Sequence, residues 1–249
     1  RCTHCIGLYT GEIVRGVTVT DGRAVKRMAP DQRERALANP SDTSLFFMNG
    51  SEFLLFAGWR TLVTEFEKNG TLLSLATNGM LLDRSASQLL VSTRILRDIN
   101  FSMDGASKHV VETVRPGIHY ETLLANIETF ISVLAQERYR LTVSLSMVLL
   151  RNNFHEAEAL VELANRLRDD RPVDIHVSYQ LLNAGHQSDY AKFYSENRVD
   201  LKLPEVAESL ERAAGAGERH GIETRYCYHD TLRRAVQSVD TAGSIRNDR

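Results

Sequence analysis

Residues 141–182 read LTVSLSMVLLRNNFHEAEALVELANRLRDDRPVDIHVSYQLL, and the fold class turns on this stretch. Leu141 to Leu150 is a short apolar run of strand character. Phe154 to Leu167 changes period, placing Leu160, Val161, Leu163 and Leu167 on one face of a helix. Val173 to Leu182 returns to strand character. A strand, a helix and a second strand in succession imply parallel strands joined by a crossover helix.

The unit repeats on both sides. Upstream, Ser44-Leu45-Phe46-Phe47-Met48 reads as a strand ending at Asn49-Gly50. From Gly58 to Lys68, Trp59, Leu62, Val63 and Phe66 form a helical stripe that stops at Asn69-Gly70. Thr71 to Ala76 is the next strand, closed by Thr77-Asn78-Gly79, and Asp83 is placed to cap the helix that follows. Ile99 to Met103 alternates as a strand and ends at Asp104-Gly105. His119 to Glu137 repeats Leu123, Ile127, Phe130, Ile131 and Leu134 at helical spacing. Downstream, a polar loop leads to a helix over Pro204 to Glu218, with proline in its first turn, and Ile222 to Tyr228 is a last short strand. About six such units specify an α/β fold, a partial (β/α)6 TIM-like barrel with parallel strands. Composition never shifts sharply. Residues 1–225 are therefore read as one barrel domain and 226–249 as the start of a C-terminal extension.

The chain has 249 residues, of which 43% are hydrophobic and 25% charged, so it can bury a sizeable core. Its net charge of -2 offers no basic field to a nucleic acid. No apolar run approaches the roughly 20 residues of a membrane helix. Three cysteines are too few for a disulfide-built scaffold. The chain opens on Arg1 and closes on a polar run to Arg249, which suggests a piece of a longer reading frame.

In parallel α/β folds, ligands sit at the carboxyl ends of the strands, which here means Asn49 to Glu52, Thr77 to Gly79 and Ser102 to Gly105. Cys2-Thr3-His4-Cys5 adds a pair of thiols spaced to face one metal or cluster iron. A redox C-x-x-C normally opens a helix after a strand, whereas Gly7-Leu8-Tyr9-Thr10-Gly11 reads as loop.

Arg1-Cys2-Thr3-His4-Cys5 resembles the end of the C-x3-C-x2-C loop of radical S-adenosylmethionine (radical SAM) enzymes. The first cysteine of that loop would fall four positions before Cys2, and the first barrel strand would also lie upstream of Arg1. Gly50-Ser51-Glu52-Phe53 resembles the family's glycine-glycine-glutamate-proline motif, departing from it at Ser51 and Phe53. Asn100 to Ala106, followed by Arg115-Pro116-Gly117 and Asn126-Ile127, is similar to the fourth strand and following helix of the SPASM-type, peptide- or cofactor-maturing group. Thr77-Asn78-Gly79 resembles the end of that group's third strand. Val148 to Glu156 resembles the end of its fifth strand, with Arg151 and Asn153 as lesser candidates. Tyr179 and Gln180 lie near the end of the sixth strand, where Tyr179 suits core packing better than ligand contact.

The resemblance implies a mechanism. Cys2 and Cys5 would ligate a [4Fe-4S] cluster. Glu52 and the backbone near Gly50 and Ser51 would hold the amino group of S-adenosyl-L-methionine, Thr77 would shape its pocket, and Ser102 and Arg115 would hold its ribose or carboxylate. A carboxylate suits an ammonium and a guanidinium suits a carboxylate. An electron from a donor such as flavodoxin or ferredoxin would cleave SAM, and the resulting radical would abstract a hydrogen atom from a peptide or small-molecule substrate. Oxygen-sensitive clusters imply a reducing cytoplasm. Two alternatives stand beside this one. Cys2, Cys5, Cys227 and His229 make a chemically sensible zinc set, and a degenerate barrel could serve as a binding protein.

Overall fold

The structure is a computed structural model and describes residues 13–14, 17–18, 45–48, 52–182 and 188–226. A small antiparallel pair, β1 (Ile13–Val14) and β2 (Val17–Thr18), precedes the main sheet. The main sheet runs β3 (Leu45–Met48), β4 (Leu72–Thr77), β5 (Leu96–Ser102), β6 (Thr142–Leu149), β7 (Asp174–Leu181) and β8 (Glu223–Tyr226), in that spatial order. Every neighbouring pair in it is parallel. The six-unit α/β expectation is therefore met. The helices are α1 (Trp59–Asn69), α2 (Arg84–Ser92), α3 (Lys108–Val114), α4 (Tyr120–Gln136), α5 (Ala157–Arg168), α6 (Ser188–Asn197) and α7 (Pro204–His220).

The local signals act where the sequence places them. Gly70 ends α1 in the left-handed region at φ 65°, its N–H returning to Glu67 and Phe66. Asp83 caps α2 by accepting from the Ala86 N–H at 2.8 Å. Two helices lie where the pattern is too short to announce them. α3 is seven residues long, and its buried face is three valines, Val110, Val111 and Val114, which carry no helical preference. α6 sits inside the expected polar loop. Its Phe193 and Tyr194 pack against Val110, Val114, Leu150 and Leu182, partners remote in sequence.

Consecutive parallel strands with right-handed crossovers place their helices on one side of the sheet. The strand residues facing that side are Leu73 and Leu75, Ile99 and Phe101, Val143, Leu145 and Met147, and Ile175, Val177 and Tyr179. All are buried in one core with the helix stripes. Phe101 meets Phe130 of α4 edge-on at 5.9 Å, and the Tyr179 hydroxyl donates to the Ala157 carbonyl of α5 at 2.7 Å. Tyr179 is thus a core residue. The opposite face, free of helices among the described residues, alternates with it and is polar: Ser74, Asp98 and Asn100, Ser102, Thr142, Ser144 and Ser146, His176 and Ser178. No helix among the described residues is long and apolar enough to cross a membrane.

Candidate functional site

Glu52 follows β3 and caps a single 3-10 turn, Phe53–Leu55, anchored in the core by fully buried Phe53. That turn aims the carboxylate at the end of β4. Oε1 accepts from the Thr77 hydroxyl at 2.9 Å and from the Leu54 N–H at 3.4 Å, and Oε2 accepts from the Asn78 N–H at 2.8 Å. Burial raises the pKa of Glu52 above the ordinary carboxylate value. The hydrogen bonds from Asn78, Thr77 and Leu54, together with the nearby Arg115 charge, oppose this shift without overcoming it.

The loop that supplies these donors is itself pinned. The Gly79 N–H donates to the Thr77 hydroxyl at 3.0 Å, and the Met80 N–H donates to the Asn78 side-chain oxygen at 2.9 Å. Gly79 stands at φ 73°, and a Cβ there would lie 2.5 Å from Leu123 Cδ1, so both conformation and space demand glycine. Asn126 of α4 reaches across to donate to the Gly79 carbonyl at 2.8 Å. This is what Asn126 does in the pattern Asn126-Ile127.

Arg115 is the C-cap of α3 and forms a buried ion pair with Asp104, Nη1 to Oδ2 at 2.5 Å, with side-chain exposures of 7% and 2%. Asp104 lies just beyond β5 at φ 56°, a left-handed position that aspartate tolerates better than most residues. Its second oxygen accepts from the Val148 N–H at 2.7 Å, and its carbonyl accepts from Asn153 Nδ2 at 3.0 Å. Asn153 also bonds the Val148 carbonyl and the Leu150 N–H. Glu156, buried nearby, accepts from the Ala106 and Ser107 N–H groups at 2.7 and 3.1 Å and from the Ser107 hydroxyl. The ends of β5 and β6 are thereby tied together, and Arg115 is held by that tie.

Glu52 and Arg115 line one cavity of about 280 Å³ at the carboxyl ends of the strands. Asn78 shares the polar wall, and Leu55, Met80, Leu81 and Ile118 make the apolar one. An acidic and a guanidinium group beside apolar walls match an α-amino acid head with an apolar body, so the donor set fits the amino acid portion of SAM. Ser102 is on the helix-free face at the same end, in register with Ser146, but is not among the residues lining this cavity. Arg151 is exposed and donates to the Arg198 carbonyl. Gly50, Ser51, Cys2, Cys5, Cys227 and His229 lie outside the described residues. Among the described residues, no group of three or more His, Cys, Asp or Glu side chains is arranged to hold a metal. Asp104 was foreseen only as part of the strand end Ser102 to Gly105, without a role of its own, and Glu156 was not foreseen as part of the site. In sequence the first reads as a turn and the second as a residue in a helix start.

No family model matches the chain, and no curated protein does. Solved structures do. Streptococcus suis SuiB bound to precursor peptide SuiA superposes with a TM-score of 0.66 at 15% identity, covering 94% of this chain and 48% of that one. SuiB bound to S-adenosylmethionine gives 0.59 at 10% identity, covering 91% and 43%. Native anSMEcpe with bound AdoMet gives 0.55 at 15% identity, covering 92% and 61%. The chain spans about half the length of the SuiB chains it matches. At such identities the likeness is one of fold. The described residues share with these solved structures an α/β architecture built on a parallel sheet.

Proposed function

We propose that this chain is the core of a radical SAM enzyme that acts on a peptide or protein side chain. One observation carries the reading: a half-buried Glu52 carboxylate, oriented by Thr77 and Asn78, shares a cavity with Arg115 at the strand ends. In this proposal Glu52 receives the α-ammonium of SAM and Arg115 its carboxylate, while Gly50 and Ser51 offer backbone groups beside Glu52. Asp104 keeps the guanidinium in place. Leu55, Met80, Leu81 and Ile118 exclude water from the apolar portion. Ser102 approaches the ribose from the helix-free face, and Cys2 and Cys5 ligate the [4Fe-4S] cluster. When bound, the cluster and SAM together supply a carbon-centred radical able to remove a hydrogen atom from an unactivated carbon. A peptide substrate is favoured because the solved structures of this fold include one bound to a precursor peptide. A flavodoxin- or ferredoxin-type donor and a reducing cytoplasm complete the proposal.

Anaerobic reconstitution of the full-length protein with iron and sulfide tests it. The expected result is a brown protein that binds SAM and, with a chemical reductant, forms 5′-deoxyadenosine. Cys2→Ala or Cys5→Ala should abolish cluster assembly. A colourless zinc protein, or an intact cluster in either variant, would overturn the assignment.

A further inference from the structure

The helix-free face of the sheet carries a second cavity, of about 530 Å³, within the range of small-molecule sites. It lies toward the amino halves of the strands, below the cavity that contains Glu52. Barrel interiors are ordinarily filled by branched apolar side chains. Here the inward positions are Ser74, Asn100, Thr142, Ser144, His176 and Ser178. Side chains this short and polar leave space rather than a packed core.

Two groups in this cavity specify what fills it. Asn100, Ser144 and His176 occupy one layer across β5, β6 and β7, being successive register partners. His176 is 5% exposed, and its Nε2 stands 3.2 Å from Arg225 Nη1. A guanidinium can only donate, so Nε2 accepts and the proton of the neutral ring resides on Nδ1. Burial, and next the Arg225 charge, lower the pKa of His176, which agrees with a neutral ring. Nδ1 is buried and has no hydrogen-bond partner among the described residues, and the same holds for Asn100 Oδ1. The layer therefore holds one donor and one acceptor without partners among the described residues, on side chains that line the cavity two strand spacings, or roughly 9–10 Å, apart at the backbone. Leaving such groups unmet is unfavourable in a buried setting.

The charges at the rim are already engaged. Asp98 accepts from Ser74 at 2.5 Å, and Arg225 binds Glu223 at 2.7 Å. A carboxylate has no proton to give Asn100, and an ammonium has no lone pair for His176 Nδ1–H. An uncharged carboxamide has both.

We infer that this cavity is a substrate subsite for a neutral carboxamide, whose carbonyl accepts from His176 Nδ1–H and whose N–H donates to Asn100 Oδ1. The inference rests on the proposed peptide substrate. The group is an asparagine or glutamine side chain of the peptide.

The protein is titrated with N-acetyl-asparagine, N-acetyl-alanine, N-acetyl-leucine and N-acetyl-aspartate methylamides, following the 15N signals of the His176 ring. SAM binding is measured separately in every sample. The asparagine probe is expected to shift the Nδ1 signal saturably and to bind about tenfold more tightly than the leucine and aspartate probes. The alanine probe assigns the source. Binding about tenfold weaker than that of the asparagine probe means a side-chain carboxamide, and equal binding, which the main-chain amides shared by all four probes would give, overturns the inference. Asn100→Leu and His176→Leu should each weaken asparagine-probe binding about tenfold, while His176→Asn, which keeps an N–H near the Nδ1 position, should restore it. Wild-type SAM affinity in these variants shows that they are folded and that the upper cavity is intact. Should Asn100→Leu fail to fold, the His176 pair decides alone. Saturation by no probe, which means water or the protein's own chain fills the cavity, overturns the inference, as does equal binding of the leucine probe. If SAM fails to bind the wild type while the probes discriminate as expected, the proposed function falls and the carboxamide site stands.

Discussion

Replacing Glu52 with glutamine separates its structural part from its ligand-binding part. A glutamine with its oxygen toward Asn78 keeps the 2.8 Å bond from that N–H. Its amide can then donate to the Thr77 hydroxyl, which already accepts from Gly79 and has a second lone pair. The long 3.4 Å contact from Leu54 is lost and the Thr77 hydroxyl turns from donor to acceptor, a modest local cost that the fold survives. What disappears is the charge that receives an ammonium. A hydrogen bond to a charged group contributes about 1.5–3 kcal/mol, so SAM affinity should fall roughly 10- to 150-fold. Equilibrium binding of labelled SAM to the cluster-loaded protein, from mild acid to neutral pH, reads this directly. Wild-type affinity should rise as pH rises through the elevated pKa of Glu52, because only the ionised form pairs with the ammonium, whereas Glu52→Gln should lack this rise. Stability without ligand has the opposite sign. A carboxylate whose folded pKa lies above its unfolded 4.5 contributes stability that is fully present below 4.5 and is lost as pH rises through the folded value. The glutamine variant escapes that loss and should melt no lower than wild type at neutral pH. Unchanged SAM affinity, or the same pH dependence in both proteins, would refute the role given to Glu52.

Arg115→Met removes the guanidinium from a buried carboxylate and should lower unfolding free energy by about 3–5 kcal/mol in urea titrations, with Arg115→Met/Asp104→Asn recovering part of the loss. A loss under about 1 kcal/mol would show that the pair behaves as a solvent-screened one. Gly79→Ala should destabilise by about 1–3 kcal/mol from its positive φ alone, with the contact to Leu123 adding to it. An unshifted thermal midpoint would mean that this loop relaxes freely.

The α/β alternation was legible because both of its periods are local. Leu160, Val161, Leu163 and Leu167 mark a helix within their own dozen residues, and α5 is found there. Strand ends at Thr77 and Ser102 were legible for the same reason, because turn residues interrupt an apolar run. α3 and α6 were not, since two turns of helix carry too few apolar positions and their packing partners are distant in the chain. Glu52 was singled out by its resemblance to a motif. Its bond to Thr77, 25 residues away, needed β3 and β4 to be neighbours.

Local sequence sets the strands of the main sheet and every helix but α3 and α6, and brings the polar residues that end the strands to one end of a parallel sheet. Those outcomes depend on side-chain period and backbone preference within a few neighbours. That Asp104, a turn residue by its sequence, ties Arg115 to β6, and that Ser144 and His176 face away from the described helices, depends on the assembled fold. Serine alternates with apolar residues through β6 visibly enough. Which face stays open, however, depends on the hand of every crossover and the register of strands far apart in the chain, and local preference encodes neither.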